Sequence, residues 1–480
     1  MQIKKLLFAI AAGLLTLTAC SLKDDPSNNV TESYISVGYA GGPVTVATFN
    51  DCDWTVKYAD AFSWCKVTKY DSFVLFEVEP NNGTEARVAS YEIIGSNVTV
   101  KLKIHQDMFV ITDDYVDLSA KGTANCYIVK PGTKAYFNSS FKGNSNESVG
   151  AVSGAKLIWQ SAKDLVKNVH YSAGAKAIAI ECGLESKSGN ALVAAVNAKG
   201  EILWSWHLWI VDYAPETSLY STAPNASGTV WKFMDRNLGA LSIAHEGFDS
   251  HGLLYQWGRK DPFPGATSYT NQDPVTYEYI DGKDGEPEYY DILNNPVPKC
   301  RTKAAGNGSV ELAVKNPDVF YLNLKIATGK TDEYGEEIFD QGDWGKPTDD
   351  DAWGGISMKK TVNDPCPVGY KVPVSDADGN KPYAWLVYNS MTWDNTNYGA
   401  TQDGQWFPAT GTRVYEGGGL DFGDPAQGSN PYSGIWFGTA GSGGEYSHYG
   451  QYMFIINGKR TFKCSKDSRS QGMSLRCVAE

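Results

Sequence analysis

The chain reads as a multidomain, mainly β protein, and three features of its sequence carry that expectation. Short runs of alternating apolar and polar residues recur, most clearly in Val98-Thr99-Val100-Lys101-Leu102-Lys103-Ile104-His105. Turn-forming clusters such as Gly41-Gly42-Pro43 and Pro80-Asn81-Asn82-Gly83 separate these runs. The 480 residues include 49 glycines, 28 tyrosines and 14 tryptophans, a turn-rich and aromatic composition. At about 100–200 residues per domain, that length allows about three domains.

The first residues are read as a targeting segment. Lys4 and Lys5 precede an apolar run from Leu6 to Leu17, long enough for a signal-peptide core and too short to span a bilayer. Leu17-Thr18-Ala19-Cys20 resembles the lipobox of bacterial lipoproteins. That resemblance implies a signal peptide over 1–19 and acylation of Cys20, which becomes the first mature residue. An ordinary cleaved signal with a coincidental cysteine is the alternative. Several acyl chains at about 0.8 kcal/mol per buried methylene make a durable anchor. Lys23-Asp24-Asp25 resembles the surface-export signal of Bacteroidetes lipoproteins, which implies an outer-membrane protein facing the cell exterior. Residues 20–32 are polar and form a lipidated tether. No later run reaches spanning length, so membrane contact is expected through the lipid anchor alone. A net charge of −13 argues against nucleic acid and anionic lipid as partners.

Residues 33–107 alternate in short strands, with Val44 and Val46 on one face and Val74, Phe76 and Val78 on another, the pattern of a small antiparallel sandwich. Gly41-Gly42, Trp54-Thr55-Val56, Trp64, Arg87 and the strand from Val98 to Gln106 resemble the BACON module of Bacteroidetes. The resemblance implies an immunoglobulin-like β-sandwich, a family associated with carbohydrate binding whose members often look like stalks. Residues 108–215 form a second β-rich module, expected as another sandwich. Its clearest strand is Ile202 to Ile210. Ile202, Trp204, Trp206, Leu208 and Ile210 line a face that must be buried, while Ser205, His207 and Trp209 line the other. That second face is either a sugar-stacking strip or covered by a neighbouring sheet. Ala124-Asn125-Cys126-Tyr127-Ile128-Val129 and Gly189-Asn190-Ala191-Leu192 look like a module of large Bacteroidetes surface proteins.

Residues 216–480 are rich in Gly and Trp, with long loops of little periodicity over 265–360. Met234 to Ala240, Tyr255 to Phe263, Asn363 to Pro373, Phe407 to Arg413 and Ser474 to Val478 together resemble the Fibrobacter succinogenes major paralogous domain. That family is similar to C-type lectin-like folds, so the resemblance implies an α+β head of this type. It also implies a disulfide between Cys366 and Cys477, because lectin-like folds commonly bridge an early cysteine to one on the last strand.

Nine cysteines less the acylated one leave eight, an even number in an oxidising compartment. Proximity suggests Cys52 with Cys65, Cys126 with Cys182, and pairs within Cys300, Cys366, Cys464 and Cys477; free buried thiols are the alternative. Catalytic signatures are scarce. His245-Glu246 and His251 miss the H-E-x-x-H spacing, and there is no G-x-S-x-G, P-loop or C-x-x-C. Formylglycine-generating enzymes, related to the lectin-like fold, use a late cysteine pair whose spacing Cys464 and Cys477 do not reproduce. No enzyme is expected and no cofactor is implied. Calcium is the one metal considered, with Asp349, Asp350 and Asp351 as ligands in an acidic loop, against a solvated acidic surface as the alternative. The E-P-N and Q-P-D triplets of calcium-dependent lectins are missing from residues 216–480.

Trp344, Trp353, Trp393 and Trp406 sit in Gly-rich and polar surroundings and are expected as stacking platforms for a glycan, unless they pack inside a fold without regular strands. The expectation is therefore a surface lipoprotein that captures glycan through its C-terminal head. The alternative is an adhesin or structural component of a surface or fimbrial assembly, contacting a host or surface protein. A glycoside hydrolase is the third reading.

Overall fold

Alternation of apolar and polar side chains becomes strands throughout a computed structural model of the chain. The structure describes residues 15–16, 29–47, 53–58, 62–95, 98–221, 230–265, 289–297, 300–304, 309–323, 326–331, 337–340, 343–345, 348–374, 392–421, 431–441, 449–456 and 463–480. The protein is multidomain and mainly β, as its sequence predicts. It divides into two compact units, Met1–Thr112 with Ser172–Ala175, and Asp113–Tyr171 with Lys176–Glu480. Cys20 and the export motif lie outside the described residues.

The first unit has two four-stranded sheets. One runs Asn29–Val37, Val98–Gln106, Arg87–Ile94, Thr55–Tyr58, its first pair parallel and the others antiparallel. The other runs Leu15–Thr16, Gly42–Ala47, Phe73–Val78, Cys65–Lys69. Each strand turns one apolar face inward: Val100, Leu102 and Ile104 from one sheet meet Val46, Val74 and Phe76 from the other in a single core. At roughly 1.5–3 kcal/mol per fully buried large side chain, this pattern decides the register. Gly41 takes φ +71°, and a Cβ there would lie 2.2 Å from the Val78 carbonyl oxygen, so the turn requires glycine. Gln106 is fully buried and satisfied, donating to the Tyr39 and Glu79 carbonyls at 3.1 and 2.9 Å and accepting from Arg87 Nε at 2.8 Å. The Arg87 guanidinium lies over the Trp64 ring at 4.3 Å.

The second unit joins most of the residues read as one module, 108–215, to all of those read as another, 216–480; only 108–112 and Ser172–Ala175 fall to the first unit. A six-stranded sheet runs Cys126–Val129, Ile202–Ile210, Gly189–Val196, Gly154–Gln160, Tyr289–Tyr290, Pro296–Val297. A four-stranded sheet holds Val166–Ser172, Ala177–Cys182, Lys134–Asn138 and Tyr115–Asp117. Towards the C-terminus, Gly472–Ser474 pairs with Leu254–Gln256 and Thr412–Arg413 and runs parallel to Tyr432–Ala440. Val478–Ala479 pairs with both Lys232–Phe233 and Tyr370–Lys371. One core takes Cys126, Trp159 and Trp209 together with Tyr255, Trp257, Trp353, Trp436 and Leu475. A Cβ on Gly450 would meet the Trp257 ring at 2.4 Å, which shows how closely backbone and indole approach there.

The stretch 265–360, expected as long loops, is corrected in its described part. Arg301–Ala304 and Val319–Leu322 form a parallel pair joined through the helix Val310–Lys315, and Ile326–Thr331 pairs with Glu337–Asp340. Ser309 caps the helix by accepting from the Leu312 N–H at 3.1 Å, and Lys315 occupies its last turn.

Cys366 and Cys477 form a disulfide and both are fully buried, as the lectin-like resemblance implies. The other pairings fare differently. Cys126 and Cys182 are buried free thiols on strands of different sheets, so the proximity argument fails for them. Burial pushes both thiols up, Cys182 to about 12, which leaves them unreactive. Cys65 is a buried free thiol and Cys300 is reduced; Cys52 and the Cys464 side chain lie outside the described residues.

Candidate functional site

Most of the aromatic residues expected to bind a glycan are structural. Trp344 is buried and donates its indole N–H to the Trp257 carbonyl at 2.6 Å. Trp353 is buried against Trp257, with ring centroids 5.6 Å apart, and donates to the Asn363 carbonyl at 3.2 Å. Trp406 is buried under the His245 ring and donates to Ser250 Oγ at 3.1 Å. Trp393, half-buried on the strand Thr392–Asp394, packs against an apolar cluster. Both faces of Ile202–Ile210 are covered from Trp204 onward, which removes His207 and Trp209 from the surface. Trp209 donates to the Ala240 carbonyl at 3.0 Å, and His207 Nε2 faces Asn190 Oδ1 at 2.9 Å. Burial drives the His207 imidazole down to about 3, so it stays neutral.

The calcium candidates are engaged by their own loop and by Arg469. Asp349 accepts from the Asp351 N–H at 2.9 Å, and Asp351 accepts from the Ile356 and Ser357 N–H groups, each at 2.9 Å. Asp350 pairs with Arg469, which also reaches Asp343 at 3.3 Å. Among the described residues, no three His, Cys, Asp or Glu side chains converge as a metal site would need.

A groove in the second unit offers what those residues do not. Two β-bulges shape it. The ladder between Gly154–Gln160 and Gly189–Val196 shifts register between Leu157 and Trp159, and the ladder between Gly189–Val196 and Ile202–Ile210 shifts so that Leu203 has no partner. A bulge turns neighbouring side chains to one side. Leu157 and Ile158 therefore line one lobe together, and Ile202, Leu203 and Trp204 line the other. The helix Val310–Lys315 forms the remaining wall, and Ile202 and Lys315 belong to both lobes.

The first lobe has a volume of about 440 Å³, with Leu157, Ile158 and Ile202 as an apolar floor. Its rim mixes cations and carboxylates: Lys156, Arg301 and Lys315 with Glu201 and Asp318. Arg301 grips Asp318 in a two-point ion pair at 2.6 and 2.7 Å, and Lys315 pairs with Glu311 at 2.8 Å. The second lobe, about 380 Å³, is lined by Val149, Leu203, Val310, Val314 and Val362. Lys142 and Glu147 stand at its mouth, 3.5 Å apart. Both volumes fall in the range of small-molecule sites.

Sequence reasoning missed this groove. Bulges leave no periodic signature, and the only readable hint was a short helix signal, Ser309 before an apolar run ending at Lys315.

No family model matches the chain, and no curated protein matches it. Among solved structures, it is similar to a Bacteroides ovatus GH5 xyloglucanase at 18% identity, covering 21% of this chain and 25% of that one, with a TM-score of 0.15. A protein from Bacteroides thetaiotaomicron matches at 18% identity over 20% of this chain and 98% of its own, with a TM-score of 0.15. An endo-fucoidan hydrolase of glycoside hydrolase family 107 matches at 9% identity over 40% of this chain and 30% of its own, with a TM-score of 0.19. The chain thus spans a quarter of the xyloglucanase. Likenesses this slight carry no argument about ligand or activity.

Proposed function

We propose that this protein is a surface lipoprotein, anchored through Cys20, that binds a neutral glycan in the bulge-built groove of its second unit. The observation that carries the reading is the lining of the first lobe. Its rim carries both donors and acceptors, Lys156, Arg301 and Lys315 together with Glu201 and Asp318, and two of the cations are paired, Arg301 with Asp318 and Lys315 with Glu311. A ligand of strong single-sign charge gains little in such a lobe. A polyol gains more, because each hydroxyl both donates and accepts while its C–H surface rests on Leu157, Ile158 and Ile202.

The test is glycan-array binding by the full mature chain, followed by calorimetry with Lys156→Ala and Glu201→Ala. Both residues are exposed, so stability should change by no more than about 0.5 kcal/mol. Each variant should weaken binding about fivefold, and unchanged affinity in both would remove the groove from the function. The adhesin reading draws on Ile356, 73% exposed on a loop held by Asp351. Binding to matrix proteins in place of glycans would favour it.

A further inference from the structure

The residue that hides Trp406 is itself a flat, outward-facing ring. His245 lies on the loop between Leu241 and Ser250, which is mostly exposed, and its imidazole stacks on the Trp406 indole at 4.0 Å with only 12° between the planes. Its side chain remains 43% exposed, so one ring face meets the indole while the other side is open to solvent. A Cβ on nearby Gly247 would find no heavy atom within 4 Å, so the loop stands clear of the body here.

The pair is held firmly from beneath. Trp406 is buried on the strand Gln405–Pro408, its indole N–H given to Ser250 Oγ and its carbonyl accepting from Arg476 at 2.6 Å. His245 Nδ1 faces Asp394 Oδ2 at 3.9 Å. Asp394 is fixed in turn, accepting from the Thr396 and Asn397 N–H groups at 2.8 and 3.1 Å and from Asn397 Nδ2 at 2.8 Å. Those bonds hold its carboxyl below the usual range, so it stays an acceptor. The turn ends in Tyr398 at φ +49°, a left-handed conformation that a bulky side chain seldom adopts. Such outliers concentrate where geometry is kept for function.

We infer that the outer face of His245, backed by Trp406 and flanked by Asp394 and Asn397, is a second saccharide subsite on which a pyranose ring stacks. An aromatic plane of fixed orientation costs little entropy on binding. A carboxylate and an amide at its edge supply acceptors and a donor for the ring hydroxyls. The subsite rests on the glycan-binding reading but uses none of the groove residues.

The test uses the full mature chain with cellohexaose, laminarihexaose and mannohexaose, read by calorimetry and by 19F NMR of 5-fluorotryptophan protein. The Trp406 resonance should shift on titration. His245→Ala should weaken binding about tenfold, while His245→Phe, which keeps a ring, should stay within about twofold of the native protein. Binding that survives His245→Ala unchanged but falls in the groove variants overturns this subsite and leaves the groove standing. Equal losses in the Ala and Phe variants overturn stacking as its basis. If none of the three hexaoses binds the native chain while the array finds another glycan that leaves the Trp406 resonance unmoved, the subsite falls and the groove stands; no binding in either assay removes both.

Discussion

Lys260 brings an ammonium group to a place with almost no water, and its neighbours explain how the fold tolerates it. Its Nζ contacts Asp261 Oδ1 at 2.6 Å, the Ser205 carbonyl at 3.0 Å and Ser205 Oγ, and it lies 4.5 Å from the Trp204 ring centre. Ser205 Oγ donates to the same Asp261 oxygen at 2.6 Å. A serine, a lysine and a carboxylate in mutual contact have the parts of a nucleophile, yet all three are almost wholly buried and line neither lobe of the groove. Their role is to satisfy one another. Removing one partner of a buried pair leaves the other charge stranded, so Lys260→Met should cost about 3–5 kcal/mol in urea unfolding. Adding Asp261→Leu to that variant should restore more than half of the loss. A double variant no more stable than Lys260→Met would mean that packing, not charge, sets the cost.

Among the elements, strands were legible wherever one face is buried. The predicted alternation of Val100, Leu102 and Ile104 is the observed core face. Ile202–Ile210 was legible on one face only, because Ser205, His207 and Trp209 read as polar or amphipathic while the fold buries them through partners distant in sequence: Asp261, Asn190 and the Ala240 carbonyl. The same blindness made surface platforms of Trp344, Trp353 and Trp406, since an indole whose N–H finds a carbonyl or hydroxyl needs no apolar run around it. The candidate groove depends on two single-residue register shifts and one six-residue helix, features too short to read from a hydrophobic period. The disulfide between Cys366 and Cys477 was accessible only through family resemblance. It joins residues 111 apart, so the Cys366→Ala/Cys477→Ala double variant should lose up to about 4–5 kcal/mol on the chain-entropy scale, read as a lower urea midpoint. A midpoint matching that of the oxidised native protein would show that the crosslink adds nothing.

For the whole molecule, each of the two units has its own apolar core. The proposed anchor makes a plain prediction: Cys20→Ala should move the protein from the membrane fraction to the soluble fraction, as followed by immunoblot. Retention in the membrane fraction would require another means of attachment. The strand Val478–Ala479 has a different bearing on the life of the chain. It lies inside its sheet, with Lys232–Phe233 on one side and Tyr370–Lys371 on the other. A polypeptide delivered N-terminus first has nearly all of the first unit's residues once position 112 has emerged, whereas the second cannot close until position 479 has followed. A copy cut short before position 478 leaves two strands without the neighbour they share, and their unpaired edges give a protease extended backbone to grip.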